Sequence, residues 1–184
     1  SNGSLGTLSN SGDDRTFTAV FTPSGDGLCE IQVLENKFTD AAGNNNIASD
    51  TFQWTYDGTG PTFTFTDLST NDITNSNNIT YNINGNVVAG ATVIYTRTGG
   101  SADSNHTITL NATERTNGSG KTLSSPPTLV SGAKYTIAFS GDDSNDNTGT
   151  ASVTGITYDP DAPTASITYS YAGPYKNGGT DVSM

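Results

Sequence analysis

The side chains best suited to chemistry in this sequence are aspartates and asparagines gathered in turns. The chain has 15 Asp but only 3 Glu, a bias that favours loops over helices. Ca²⁺ binds six to eight oxygens from carboxylates, asparagine amides, backbone carbonyls and water, and such loops supply them. We therefore predict calcium as the cofactor, with these candidate ligands: Asp40, Asn44, Asp57, Asp142, Asp143, Asp146, Asp159 and Asp161.

The densest acidic stretch is "GDDSNDN" at 141–147, where three carboxylates lie within five positions. Like charges this close repel one another unless a cation or solvent separates them, which favours calcium. A second interpretation stays open, since Asp and Asn side chains also cap turns by bonding to backbone N–H groups nearby. Asp40 and Asn44, in "TDAAGNN", are subject to the same two interpretations.

Catalytic residues are scarce, and we predict that the protein is not an enzyme. His106 is the only histidine, and its polar neighbours in "SNHTIT" indicate a surface position at a strand entrance. Cys29 is the only cysteine, which excludes an intrachain disulfide and a zinc site built on cysteines. Its apolar alternating neighbours predict a buried, inert thiol. The stretch "GSGKT" at 118–122 lacks the first glycine of a phosphate-binding loop.

The charge of the chain limits its partners. A formal net charge of −11 repels the phosphates of a nucleic acid, so we expect no nucleic-acid partner. No apolar stretch approaches the roughly 18 residues that a membrane helix needs, so we expect no membrane span in this segment.

Apolar residues alternate with polar ones along the chain, which is typical of strands. Examples are "TFTAVF" (16–21), "CEIQVLE" (29–35), "TFQWTY" (51–56), "NITYNIN" (78–84) and "KYTIAF" (134–139). Helical periodicity is nearly absent, and Gly, Asn and Pro separate the strands every 8 to 15 residues or so. The sequence therefore predicts an all-β, antiparallel sandwich architecture.

An eight-residue phrase occurs twice: "TYDGTGPT" at 55–62 and "TYDPDAPT" at 157–164, with its aspartates 102 residues apart. That interval is the length of one ordinary domain and indicates a tandem array. We predict three parts, with boundaries after the two aspartates. These are the C-terminal part of one domain at 1–58, a complete domain at 59–160, and the first strands of a further domain at 161–184.

The segment "FTDAAGNNNIASDTFQWTYDGTGPT" resembles the closing strands of the bacterial immunoglobulin-like (Ig-like) repeats of giant secreted and cell-surface adhesins. In those repeats an Asp-x-x-Gly-Asn loop precedes the last strand and a short Asp/Pro/Thr linker. The segment "YTIAFSGDDSNDN…TYDPDAPT" resembles a second subtype, with "DDSNDN" in place of the loop motif.

The resemblance implies tandem Ig-like sandwiches arranged as beads on a string in an extracellular, cell-surface stalk or filament. It also implies that linker and loop acids meet at domain junctions and bind calcium that stiffens them. The expected partners are neighbouring Ig-like domains or identical subunits in a fibre, together with surface glycans or other cell-surface targets.

The alternative function is a carbohydrate- or surface-binding β-sandwich module. The tyrosines of "ITYSYAGPYK", Tyr169, Tyr171 and Tyr175, could stack on sugar rings. Their alternation is equally compatible with a place in a core, so both interpretations stay open.

Overall fold

The computed structural model describes residues 2–13 and 15–168, and all of their helical or extended elements are β-strands. Thr, β-branched and aromatic residues supply the strand propensity. None of the described segments forms a helix with the length and apolarity needed to cross a bilayer. The predicted all-β class is confirmed.

Residues 2–58, which we call the N-terminal unit, contain only short strands. They are β1 (Gly3–Leu5), β2 (Ser9–Asn10), β3 (Phe17–Thr18), β4 (Phe21–Pro23), β5 (Gly27–Ile31) and β6 (Phe52–Tyr56). They form three antiparallel pairs, β1 with β4, β2 with β3 and β5 with β6. In the last pair Cys29 lies opposite Trp54, and the ring of Phe21 packs edge-on against Trp54 at a centroid distance of 4.8 Å. These contacts join β4 to the hairpin.

Two sequence predictions for the N-terminal unit have clear outcomes. Cys29 is fully buried, as predicted. The single strand predicted over 16–21 is wrong, because the chain changes partner there: β3 pairs with β2, whereas β4 pairs with β1. The alternating pattern of the sequence extends across residues 16–21, and such a pattern does not show where the chain changes its partner strand.

Residues 59–160, the middle unit, contain the longer strands. They are β7 (Thr62–Phe65), β8 (Ile73–Thr74), β9 (Thr80–Asn84), β10 (Thr92–Gly100), β11 (His106–Thr109), β12 (Gly118–Thr122), β13 (Ala133–Asp142) and β14 (Thr148–Tyr158). One sheet has the order β11-β10-β13-β14-β8 and the other β12-β9-β7. All pairs are antiparallel except β14 with β8, so the arrangement is consistent with an Ig-like sandwich.

The core of the middle unit lies between its two sheets. Phe63 and Tyr81, from the three-stranded sheet, contact Phe139 of the five-stranded sheet at ring-centroid distances of 5.1 and 4.8 Å. Burying each such side chain contributes about 1.5–3 kcal/mol. The alternating strands predicted around Tyr81 and Phe139 therefore supply inner faces of the core, and β7 adds Phe63 to it.

Strand β12 was not expected, because "GSGKT" has no apolar alternation. Its backbone nevertheless pairs with β9, and it forms the edge of its sheet. Polar residues and glycines are common in edge strands, where they discourage pairing with other chains. Sequence periodicity detects buried faces and misses such an edge.

The last strands of the two units end at Tyr56 and Tyr158, each directly before an aspartate of the repeated phrase. No sheet of the described residues joins strands from both units. The segment 57–61, which we call the joint, connects β6 to β7. The described residues of the predicted further domain, 161–168, contain no strand, and its remaining residues, which include Tyr169, Tyr171 and Tyr175, lie outside the described residues. The domain boundaries after 58 and 160 stay predictions.

Candidate functional site at the joint

The turn before β6 is closed by the side chain of Asp40. Its Oδ1 accepts hydrogen bonds from the backbone N–H groups of Ala42 and Asn44, both at 2.9 Å, and its Oδ2 accepts one from Asn44 Nδ2 at 2.9 Å. Gly43 takes a positive φ of 87° in this turn. The hydrogen bonds from the side chain and the backbone of Asn44 lower the pKa of Asp40. Asp40 and Asn44 thus cap their own turn.

The turn before β14 repeats this arrangement. Asp143 Oδ1 accepts from the backbone N–H groups of Asn145 and Asn147 at 2.8 and 3.0 Å, and Oδ2 accepts from Asn147 Nδ2 at 3.0 Å. Asp146 has a positive φ of 62° and occupies the position of Gly43. The hydrogen bonds from Asn147 lower the pKa of Asp143. The two loops are therefore equivalent, with Asp143 matching Asp40 and Asn147 matching Asn44.

The second turn also holds the joint. Asn145 Nδ2 donates to Asp57 Oδ2 at 3.0 Å, and Asn147 Nδ2 donates to the carbonyl oxygen of Asp57 at 3.1 Å. A Cβ on Gly149 would overlap the carbonyl oxygen of Pro61, so the joint lies directly on the beginning of β14. The middle unit thereby fixes the backbone that enters it.

The N-terminal unit holds the same joint from the other side. Asp26 Oδ1 accepts a hydrogen bond from the backbone N–H of Gly58 at 2.7 Å. The Thr59 side chain and this N–H lower the pKa of Asp26, while the nearby negative charge of Asp143 opposes that shift. Two turns from different units thus meet at one five-residue segment.

Three carboxylates, those of Asp26, Asp57 and Asp143, converge on the joint. Asp57 and Asp143 also line a cavity of about 230 Å³ beside Pro61. In the described part of the chain, no group of three or more His, Cys, Asp or Glu side chains is close enough together to hold a metal ion. The donor chemistry suits calcium, but these carboxylates do not form a metal centre as they stand, and calcium binding stays a prediction.

The other predicted ligands lie apart from this cluster or make local bonds. Asp142 Oδ1 accepts from the Thr148 hydroxyl at 2.6 Å. At the second copy of the phrase, the backbone N–H of Asp159 donates to the Thr74 carbonyl oxygen at 2.8 Å. Asp161 Oδ2 accepts from the Ser131 hydroxyl at 2.5 Å. Asp159 and Asp161 thus bind the segment after β14 to Thr74 and Ser131 of the middle unit.

Sequence reasoning missed two residues that bind the joint, Asp26 and Asn147. Asp26 lies in the ordinary turn "SGDG", and nothing in that stretch points to a segment 32 residues further on. Asn147 could have been found, because Asp143 and Asn147 have the same four-residue spacing as Asp40 and Asn44. The additional carboxylates of "DDSNDN" concealed that shared spacing.

A second polar cluster lies away from the joint. Asp103 Oδ2 accepts hydrogen bonds from the Tyr135 hydroxyl and from His106 Nε2, the latter at 3.1 Å. The Tyr135 bond is the main cause that lowers the pKa of Asp103 to about 2, and burial, more than the carboxylate, raises the pKa of Tyr135 to about 12. His106 begins β11, as predicted, but its side chain is only 20% exposed, so it is partly buried and not fully on the surface.

Comparison with known proteins supports part of this description. Residues 1–56 match a family model described as a bacterial Ig-like domain, which confirms the predicted resemblance for that part of the chain. Comparison with curated proteins and with solved structures gave no match. Bacterial Ig-like domains are typically non-catalytic and common in extracellular proteins, in agreement with the scarcity of catalytic residues in the sequence.

Proposed function

We propose that this chain is a structural, adhesive segment of an extracellular bacterial surface protein, in which Ig-like units form a stalk or filament. The observation that carries the proposal is the joint, in which Asp57 and Gly58 are hydrogen-bonded by turns of the two units. Asp26 bonds Gly58 from one side, and Asn145 and Asn147 bond Asp57 from the other. A stalk needs such a joint, because free rotation between units would make the array a flexible string.

The chemistry of the joint suits this mechanical role. Pro61 restricts φ at the start of β7. Each hydrogen bond contributes about 0.5–1.5 kcal/mol net, more where a carboxylate accepts. Several such bonds acting on one short segment restrict its dihedral angles without requiring a large interface between the units.

Asn145→Ala tests the joint most directly. The substitution removes the bond from the Asn145 side chain to Asp57 but leaves its backbone N–H on Asp143. Spin labels at cysteines that replace the exposed Asp50 and Thr150 would report the distance between the units by pulsed electron resonance; the native Cys29 is fully buried. We expect a narrow distance distribution in the parent protein and a broader one in Asn145→Ala.

Asn75→Ala, at an exposed position of the same unit, is the matched control and should leave the distribution unchanged. A parent distribution already as broad as that of Asn145→Ala would contradict the rigid joint, and with it the stalk.

Calcium is the second part of the proposal. Asp26, Asp57 and Asp143 approach the joint from three separate segments without being close enough to form a metal centre, and the repulsion among their charges favours a cation that would draw them together. Oxygens of these side chains and of backbone carbonyls would hold the ion, which would neutralise the joint and restrict it further.

A further inference from the structure

Three Asn-Gly pairs lie within the described residues, namely Asn2-Gly3, Asn84-Gly85 and Asn117-Gly118. Asn is a chemically labile residue, most of all before glycine, because glycine has no side chain to keep its backbone nitrogen away from the Asn side chain. Two of the three pairs are also followed by the same residue, Ser. The linear sequence therefore gives the three pairs similar reactivity, and any difference between them must come from the fold.

The reaction at such a pair is an intramolecular acyl transfer. The glycine backbone nitrogen loses its proton to solvent and attacks Cγ of the Asn side chain. A new N–Cγ bond forms, and the side-chain nitrogen takes up a proton and leaves as ammonia. Water then opens the five-membered imide on either side, which gives aspartate or isoaspartate. Attack requires the nitrogen and Cγ to reach about 3–3.5 Å in an aligned geometry, so a pair that the fold holds elsewhere resists it.

The fold holds the first pair by its side chain. Asn2 Nδ2 donates to the Gly25 carbonyl oxygen at 2.7 Å, and Asn2 Oδ1 accepts from the Ser24 hydroxyl at 2.6 Å. Gly3 begins β1, and a Cβ there would overlap the Phe21 ring. Both hydrogen bonds must break before Cγ can turn towards the Gly3 nitrogen, so Asn2 is protected.

The second pair is held by its backbone. Asn84 is the last residue of β9 and lies opposite Thr62 of β7. Gly85 lies against the joint, since a Cβ there would be 3.2 Å from Pro61 Cα. Rotating this peptide would disturb a strand pair and the packing of the joint, so Asn84 is protected as well.

The third pair has neither restraint. Asn117 is exposed, directly precedes β12, and makes no hydrogen bond to any described residue. The nearest atom to a Cβ added at Gly118 would be Lys121 Cε at 3.5 Å, near the end of a flexible side chain. Gly118 pairs with Ile83 at the irregular end of an edge strand. The peptide can therefore reach the attack geometry without disturbing the core.

We propose that Asn117 is a site of spontaneous deamidation in the folded protein, and that the fold directs the reaction to it among the three pairs. Each event adds one negative charge to a chain that already carries −11. Isoaspartate also adds one methylene to the backbone directly before β12. The change falls at a sheet edge, where charge discourages pairing with other chains. The negative charge of this edge therefore grows with the age of the molecule.

Peptide mapping by mass spectrometry measures the modified fraction at each pair while the protein is kept at mildly alkaline pH. In the folded parent protein, Asn117 should react roughly tenfold faster than Asn2 and Asn84, or more, because those two must first break hydrogen bonds or a strand pair. In concentrated urea the three rates should become similar. The Asn177-Gly178 pair, outside the described residues, is read from a separate peptide.

Two variants test the cause of the difference. Ser24→Ala removes one of the two hydrogen bonds that hold Asn2, so it should speed the reaction at Asn2 and leave the rate at Asn117 unchanged. Asn117→Gln should suppress the reaction at this position, because attack on the longer side chain needs a six-membered ring. Its urea unfolding should match that of the parent protein, since the Asn117 side chain is exposed and unbonded.

Three results in the folded parent protein would overturn the proposal: similar rates at the three pairs, a faster reaction at Asn2 or Asn84, or an Asn117 that stays intact. An unchanged rate at Asn2 in Ser24→Ala would overturn the protection assigned to its hydrogen bonds. The distance distribution across the joint does not depend on this reaction, so the stalk proposal succeeds or fails separately.

Discussion

Single polar side chains hold distant parts of this chain together. Asn147 is the clearest case, since its Nδ2 donates both to Asp143 Oδ2 and to the carbonyl oxygen of Asp57. Glu114, a buried carboxylate, accepts from the backbone N–H groups of Asn111 and Ser124. Removing the side chain of Asn147 or Glu114 would leave its hydrogen-bond partners unpaired, at a cost of about 1–3 kcal/mol for each partner. These two residues therefore stabilise loops that have little apolar content.

Asp103→Asn should destabilise the middle unit by about 1.5–3 kcal/mol near neutral pH, because the charged acceptor of Tyr135 and His106 is lost. The pKa of Asp103 in the folded protein, about 2, lies below its ordinary value of 3.8. Its contribution is therefore complete above pH 3.8 and disappears as pH falls towards 2. Urea unfolding of both proteins across that range measures the difference.

Asp50→Asn, at an exposed position of the N-terminal unit, is the control for that experiment and should change little. A penalty for Asp103→Asn that stayed constant down to pH 2 would show that the carboxylate charge is not the stabilising feature.

At the scale of elements, the two turns before the last strands show how one geometry is reached from different sequences. The Asp at the first position and the Asn at the fifth are shared, because their side chains make the hydrogen bonds that close the turn. The fourth position needs a positive φ, which Gly43 adopts without a steric penalty and Asp146 adopts with one.

Asp146→Gly should therefore preserve the turn and raise the free energy of unfolding by up to about 1 kcal/mol, because glycine relieves the left-handed strain. Asp146→Val should lower it by about 1–3 kcal/mol, since a β-branched residue is poorly tolerated there. Urea unfolding in the presence of EDTA measures both effects without calcium. Marked destabilisation by Asp146→Gly would mean that the Asp146 carboxylate has a structural role beyond the turn.

At the scale of the whole molecule, the relation between the units depends on charge as well as on hydrogen bonds. The joint concentrates negative charge in a chain that already carries −11. Hydrogen bonds to Asp26, Asp57 and Asp143 offset part of the repulsion. A bound cation would offset more, and its binding only to the folded protein would stabilise the fold.

The calcium prediction can be tested on the parent chain. EDTA should lower the melting temperature by several degrees, and Ca²⁺ but not Mg²⁺ should restore it, because Mg²⁺ demands stricter octahedral geometry. Asp57→Asn should weaken the response to Ca²⁺, whereas Asp50→Asn should leave it intact. A melting temperature indifferent to EDTA would leave the hydrogen bonds as the sole support of the joint.

The sequence by itself determined the all-β class, the inner faces around Tyr81 and Phe139, and the position of the repeated phrase after the last strands. These features depend on the local alternation of apolar and polar residues and on a repeated phrase, and both patterns are visible in the linear sequence. The resemblance of residues 1–56 to bacterial Ig-like domains also depended on such local motifs.

Only the tertiary structure decided which strands pair and which polar residues meet. It split the segment 16–21 between two sheets, assigned β12 to a sheet edge and placed Asp26 against Gly58. Pairing is set by the lowest free energy over the whole chain, and turn residues such as Asp and Asn look alike whether they cap their own loop or bind a distant one. The partners in the joint therefore become identifiable only once the units are folded.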